Sequence, residues 1–210
     1  MNDMNDIAVS ASDRNAVKIT EIECIPLNVP FKVPFKISTG AARPGVETLI
    51  VKVHTDQGVT GIGETQAWRR QGSAETLAGQ INVIKNHFEP QLVGRSPFDI
   101  ASIMHGLNES MYHSQYSQAP VGDALYDIVG KVLGIPVHQI LGGKTRDSVR
   151  IAAVLTKKGT VESLVESADE FFERGFRHFV LKIGNDPMSD IKNAEALRNR
   201  FGHEVALRVD

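Results

Sequence analysis

Two rhythms of apolar residues alternate along the chain, a strand-like one and a helical one. Val17 to Leu27 is rich in Val and Ile, with Pro26 near its end, which predicts an edge strand. Asn28 to Gly45 holds three prolines and two glycines, too many for a helix, and reads as a long loop anchored by Phe31, Phe35 and Ile37. Thr48 to His54 predicts a strand, Thr55-Asp56-Gln57-Gly58 a turn, and Val59 to Glu64 the returning strand of an antiparallel hairpin. Gln66 to Gly72 is a second polar loop and carries the only tryptophan, Trp68.

The period then lengthens. Leu77, Ile81, Ile84, Phe88 and Leu92 recur at helical spacing behind Ser73, a candidate N-cap, and predict a helix near 74–93. Asp99 opens a second helix, near 99–113, whose stripe is Ile100, Ile103, Met104, Leu107 and Met111. A third, over 121–133, turns Ala124, Leu125, Ile128, Val129, Val132 and Leu133 inward and stops at Gly134. Pro136 starts a short helix to Leu141, ended by Gly142-Gly143.

From Ser148 strands and helices alternate. Strands are expected over 149–155, 178–184 and 205–210. The helices between them start at Thr160 and at Asp186-Pro187, and close at Gly175 and Gly202. This order implies parallel strands with right-handed crossovers.

Composition narrows the function. A chain of 210 residues with 41% hydrophobic content can fill one large domain or two small ones. A formal net charge of −2 gives no electrostatic reason to expect nucleic acid or an anionic membrane as partner. The single cysteine, Cys24, excludes an intramolecular disulfide and fits a reducing compartment. Residues 1–16 form a polar tail without the basic and apolar regions of a signal peptide, so a cytoplasmic location is expected. The seven histidines show no His-x-x-x-His spacing.

The candidate chemistry lies at two strand ends. Lys182 falls near the end of the second parallel strand and Asp210 ends the third. Adjacent parallel strands bring their carboxyl ends to one face, so an amine and a carboxylate would flank a common mouth. Charges at strand ends also occur simply as solvated rim, and a lone lysine there can snorkel. His178, at the start of its strand, points to the opposite end and reads as structural.

Four stretches carry a family resemblance: Gly61-Ile-Gly-Glu64, Ala124 to Lys131, Gly134 to Gly143, and Val180-Leu-Lys-Ile-Gly184 together with Leu207-Arg-Val-Asp210. In order and spacing they resemble the amino-terminal portion of the mandelate racemase/muconate lactonizing branch of the enolase superfamily. The resemblance implies an α+β capping domain over 17–147, followed by an α/β (β/α)-barrel of which 148–210 supplies the first three strands. It implies that Lys182 is the second lysine of a Lys-x-Lys motif, the base that exchanges the proton next to a substrate carboxylate. It implies that Asp210 is the first of three carboxylates around an essential Mg²⁺. The small-molecule substrate would be a carboxylate, and the two capping loops, matching 31–46 and 66–72, would choose it, with Thr39 and Trp68 as candidate contacts.

Val180 stands where the family usually has the first lysine. An ammonium there would act on Lys182 by like-charge repulsion, whereas a valine can only desolvate it. A (β/α)₈ barrel needs roughly 250 residues, so this segment by itself is expected to be inactive. Its open sheet edges predict a homo-oligomer or another partner. A non-catalytic assembly or binding module on the same fold is the alternative.

Overall fold

A computed structural model of the chain describes residues 17–35, 43–67, 75–155, 159–184 and 186–210. Contacts divide the chain into two compact units, Met1–Pro30 with Val46–Thr145 and Phe31–Gly45 with Arg146–Asp210.

Strands β1 (Ile19–Phe35), β2 (Arg43–Thr55) and β3 (Thr60–Gln66) form one sheet in that order. β2 and β3 are antiparallel, with Val51 opposite Gly63 and Val53 opposite Gly61, and the turn between them uses Gly58 at φ +74°. The stretch 28–45, expected as a loop, is largely strand: β1 continues through Pro30 and Pro34 to Phe35, and β2 begins at Arg43. Edge position is the reason. β1 is an outer strand of the sheet, and a proline is tolerated on an edge strand where its missing donor faces away from the neighbouring strand, as the N–H and C=O of Ile22 do.

Helix α1 (Leu77–Val83), a π-helical stretch Ile84–Phe88 and α2 (Glu89–Leu92) follow one another directly. The cap is Thr76, whose Oγ1 accepts from the Gly79 N–H at 3.1 Å; Ser73, expected in that role, lies outside the described residues. Then come α3 (Ile100–Ser110), α4 (Gln115–Leu133), ended by Gly134 at φ +66°, and α5 (Val137–Ile140). Ile84, Phe88, Leu92, Ile103, Leu107, Leu125 and Ile128 are almost fully buried against Ile22, Leu49, Val51 and Val53, so the expected stripes are the core.

α4 starts six residues earlier than its apolar stripe and runs through Pro120. Glu75 accounts for this start. Its buried carboxylate accepts from the Tyr116 N–H at 3.1 Å, the Ser117 N–H at 2.8 Å and the Ser117 hydroxyl at 3.2 Å. The Tyr116 donor is thereby satisfied from another segment, and the Ser117 N–H is shared between Glu75 and the Ser114 carbonyl at 3.0 Å.

α4 lies directly on β3, and two glycines permit it. A Cβ on Gly61 would come within 2.0 Å of the Ala124 carbonyl oxygen, and one on Gly63 within 1.9 Å of the Pro120 carbonyl oxygen. Both outer edges of the sheet are closed by the same device, an acid and a lysine four residues apart on a helix. On β3, Asp127 accepts from the Ile62 N–H at 2.9 Å while Lys131 donates to the Thr60 carbonyl at 2.7 Å. On β1, Glu89 accepts from the Ile22 N–H at 2.9 Å and Lys85 donates to the Ile22 carbonyl at 2.7 Å. Occupied edge groups are poor templates for another strand.

In the second unit β4 (Ala153–Leu155), β5 (His178–Leu181) and β6 (Ala206–Val209) are parallel neighbours in the order β4-β5-β6. α6 (Val161–Glu173) begins in a capping box between Thr160 and Ser163. α7 (Pro187–Phe201) begins with Asp186, which accepts from the Ser189 N–H at 2.9 Å, and with proline at the first helical position. Leu164, Ala168, Leu197 and Phe201 pack on Ala153, Leu155, Phe179 and Leu181. β4 is shorter than the expected 149–155. Pairing with β5 starts only at Ala153 opposite Phe179, which leaves Val149 and Ile151 unpaired and exposed.

Two measurements test this packing. Gly63→Ala is expected to lose ~3 kcal/mol in urea unfolding, the upper end for overpacking. Gly106→Ala, in α3 with open space where its Cβ would sit, should be neutral or gain up to about 1 kcal/mol. The second concerns Glu75, whose carboxyl is raised above its ordinary 4.5 by burial, against the lowering effect of its Ser117 and Tyr116 donors. A folded-state value above the unfolded one makes its contribution to stability full below pH 4.5, and lost as pH rises through the raised value. Carboxyl NMR should place the Glu75 midpoint above 4.5, and Glu75→Gln should flatten that part of the pH–stability curve.

Candidate active site

The site is built where β5 and β6 end. Leu181 is opposite Val209 in register, and the ladder continues one step further. The Asp210 N–H donates to the Leu181 carbonyl at 3.0 Å, and the Ile183 N–H to the Asp210 carbonyl at 2.9 Å. On the other side the Lys182 N–H reaches the Leu155 carbonyl of β4 at 3.3 Å. Lys182 and Asp210 are therefore fixed by the backbone before their side chains make any contact.

The side chains then meet. Lys182 Nζ donates to Asp210 Oδ2, with 26% and 46% of the two side chains exposed. Alternation decides which face they occupy. Ala153, Leu155, Phe179, Leu181 and Leu207 are turned towards α6 and α7. Val154, Val180 and Arg208 point the other way, and Lys182 and Asp210 follow Val180 and Arg208 by two residues each. A half-solvated pair of this kind is worth about 0–1 kcal/mol, so it adds little to folding and chiefly sets position.

Sequence reading misses two contributors. Asp190, buried in the first turn of α7, accepts from the Gly184 N–H at 2.7 Å and ties down the loop that follows Lys182, where Gly184 has φ +108°. Its only signal is a position four residues after Asp186, in a place where acids are common at any helix start. Arg208 lies opposite Val180 in register, and its Nη2 stands 3.9 Å from Asp210 Oδ2. A cation is thus present on β6 beside the site, although position 180 of β5 carries none. Thr39 and Trp68 lie outside the described residues. His178 is half-buried at the amino end of β5, away from Lys182.

Among the described residues no group of three acidic, histidine or cysteine side chains could hold a metal ion. Asp210 is one oxygen ligand, engaged by Lys182, and alone it does not make a magnesium site. No helix among the described residues is long and apolar enough to cross a membrane.

A lysine and a carboxylate at the ends of neighbouring parallel strands, in a chain whose other unit is α+β, define a class that comparison with known proteins identifies. Residues 19–142 match the family described as mandelate racemase / muconate lactonizing enzyme, N-terminal domain. The N-succinyl-L-Arg/Lys racemase of Bacillus cereus is 31% identical over 194 residues, 92% of this chain and 52% of that protein. Its crystal structure superposes with a TM-score of 0.86, at 32% identity over 92% of this chain and 52% of that one. Muconate cycloisomerase 1 of Pseudomonas putida is 32% identical over 200 residues, 93% of this chain and 53% of that protein. An enolase-superfamily member from Roseovarius nubinhibens, in complex with magnesium, superposes with a TM-score of 0.82 at 26% identity, over 92% of this chain and 52% of that one. The chain belongs to the mandelate racemase/muconate lactonizing branch of the enolase superfamily. It spans about half the length of the curated relatives it matches.

Asp190 provides the local test. In Asp190→Ala the Gly184 amide should exchange with deuterated solvent at least about tenfold faster, as expected for a lost hydrogen bond to a charged acceptor. The Phe179 amide, in the middle of the sheet, should keep its protection.

Proposed function

We propose that this chain is part of an enzyme that removes the proton α to a substrate carboxylate, forming an enolate, with Lys182 as the base. The observation that carries the proposal is the convergence of Lys182 and Asp210 on one face of adjacent strand ends. A proton next to a carboxylate is very weakly acidic, because its loss adds a second negative charge to a group already anionic. Binding and orienting that carboxylate beside a fixed amine converts an intermolecular encounter into a positioned transfer. Lys182 must first leave Asp210 and shed its own proton; it can then take one from carbon and return it.

Racemisation, epimerisation and cycloisomerisation, the reactions named for the relatives, and acid-sugar dehydration all pass through such an enolate. Candidate substrates are N-succinyl amino acids, dipeptides and, in the direction that removes a proton, muconolactone-like lactone acids. Thr39 and Trp68 are the proposed substrate contacts in the two loops. In a complete enzyme Asp210 would be one carboxylate of a magnesium site whose further ligands come from outside the described residues. A non-catalytic module is the second reading, favoured by Val180 in place of the motif's first lysine.

The test uses a chain containing this segment and spanning the full length of its relatives. It should exchange the α-proton of one of these acids with deuterated solvent, and Lys182→Ala should lower that rate about 10²–10⁴-fold, the usual range for a general base. Undiminished exchange in Lys182→Ala would place the base elsewhere, and no exchange across the panel would favour the module. For the 210-residue chain we propose self-association, since β4 and β6 are sheet edges without a further strand among the described residues. A monomer by light scattering that binds no hydrophobic dye would contradict this.

A further inference from the structure

We infer that the basin at the amino ends of β4 and β5 is a binding site for a small multivalent oxyanion, either a phosphate ester or a polycarboxylate. It lies at the other end of β5 from Lys182. The cavity measures about 520 Å³ and is walled by Arg150, Arg174, Arg177 and His178 over Ile151 and Phe176. The chain as a whole carries 23 basic and 25 acidic side chains, so a basin with three arginines and no carboxylate does not follow from overall charge. Among the described residues no acidic side chain forms an ion pair with Arg150, Arg174, Arg177 or His178.

The guanidinium groups are also held in place. Arg177 stacks on Phe172 with its central carbon 3.7 Å from the ring centroid, and its Nη1 donates to the Phe172 and Phe176 carbonyls at 2.8 and 2.9 Å. Arg174 stands 5.3 and 5.5 Å from the rings of Phe171 and Phe176. A stacked guanidinium loses little freedom when it forms a forked contact with an oxyanion. Arginines at the end of α6 also complement its helix dipole. That role needs neither Arg150, which precedes β4, nor His178, which starts β5. Convergence of a third guanidinium and an imidazole, a further hydrogen-bonding group, from two other segments on one cavity is what a multivalent oxyanion requires.

Calorimetric titration of the 210-residue chain with inorganic pyrophosphate and, separately, with citrate at low salt tests the inference. Saturable one-to-one binding of at least one probe is expected, and the tighter of the two assigns phosphate or carboxylate chemistry. Arg150→Ala and Arg174→Ala should each weaken it about tenfold, as for one charge-assisted hydrogen bond. Lys192→Ala, which removes an exposed cation from α7 in the same unit, should leave affinity within about twofold. Arg150 is exposed and outside any helix or strand, so its loss removes no core packing. Absence of saturable binding for both probes would overturn the inference. So would equal weakening by Lys192→Ala, which would mean diffuse charge attraction alone.

Discussion

Helix α4 rests on β3 at a distance that no side chain could share, and the first unit is arranged around that contact. Gly61 and Gly63 remove the two Cβ atoms that would strike the Ala124 and Pro120 carbonyls. With the helix this close, Asp127 and Lys131 can reach the outer edge of β3 and occupy its Ile62 N–H and Thr60 C=O. α4 itself runs back past Pro120 to Gln115, and Glu75 supplies acceptors to its first turn. The packing of a helix and the covering of a strand edge thus depend on two missing methyl groups.

In the second unit the ordering principle is the parallel ladder. Backbone bonds from β4 to Lys182 and between β5 and β6 set the two strand ends in register, and Asp190 holds the turn beyond them through Gly184. The ion pair between Lys182 and Asp210 follows from that register and contributes little energy of its own. Such an arrangement suits a site whose charged groups must be able to change partners, because the scaffold does not rely on the pair for its stability.

The helical stripes and the parallel strands were legible because burial imposes a period: Ile84, Phe88 and Leu92 in one unit, Phe179 and Leu181 in the other, are where the pattern puts them. The placement of Lys182 and Asp210 was legible for a similar reason, since one lies near the end and the other at the end of a strand that the pattern marks; in the structure each directly follows its strand. The failures come from long-range contacts. β1 reads as a loop after Leu27 because prolines break local propensity, and only its edge position makes them harmless. The first turns of α4 have no sequence signal, because Glu75, forty residues earlier, provides their acceptors. Asp190 looks like any acid at a helix start until the Gly184 amide is placed beside it.

The claim on which the functional account turns is that the Lys182 nitrogen itself carries the α-proton. Chemical rescue measures this most directly: the full-length Lys182→Ala chain is given small primary alkylamines while substrate α-proton exchange into deuterated solvent is followed by NMR. The account predicts that exchange returns in proportion to free amine and varies with amine basicity, because the amine enters the space Lys182 has left. Exchange that no amine restores, in a variant shown to fold and to bind substrate, would contradict it.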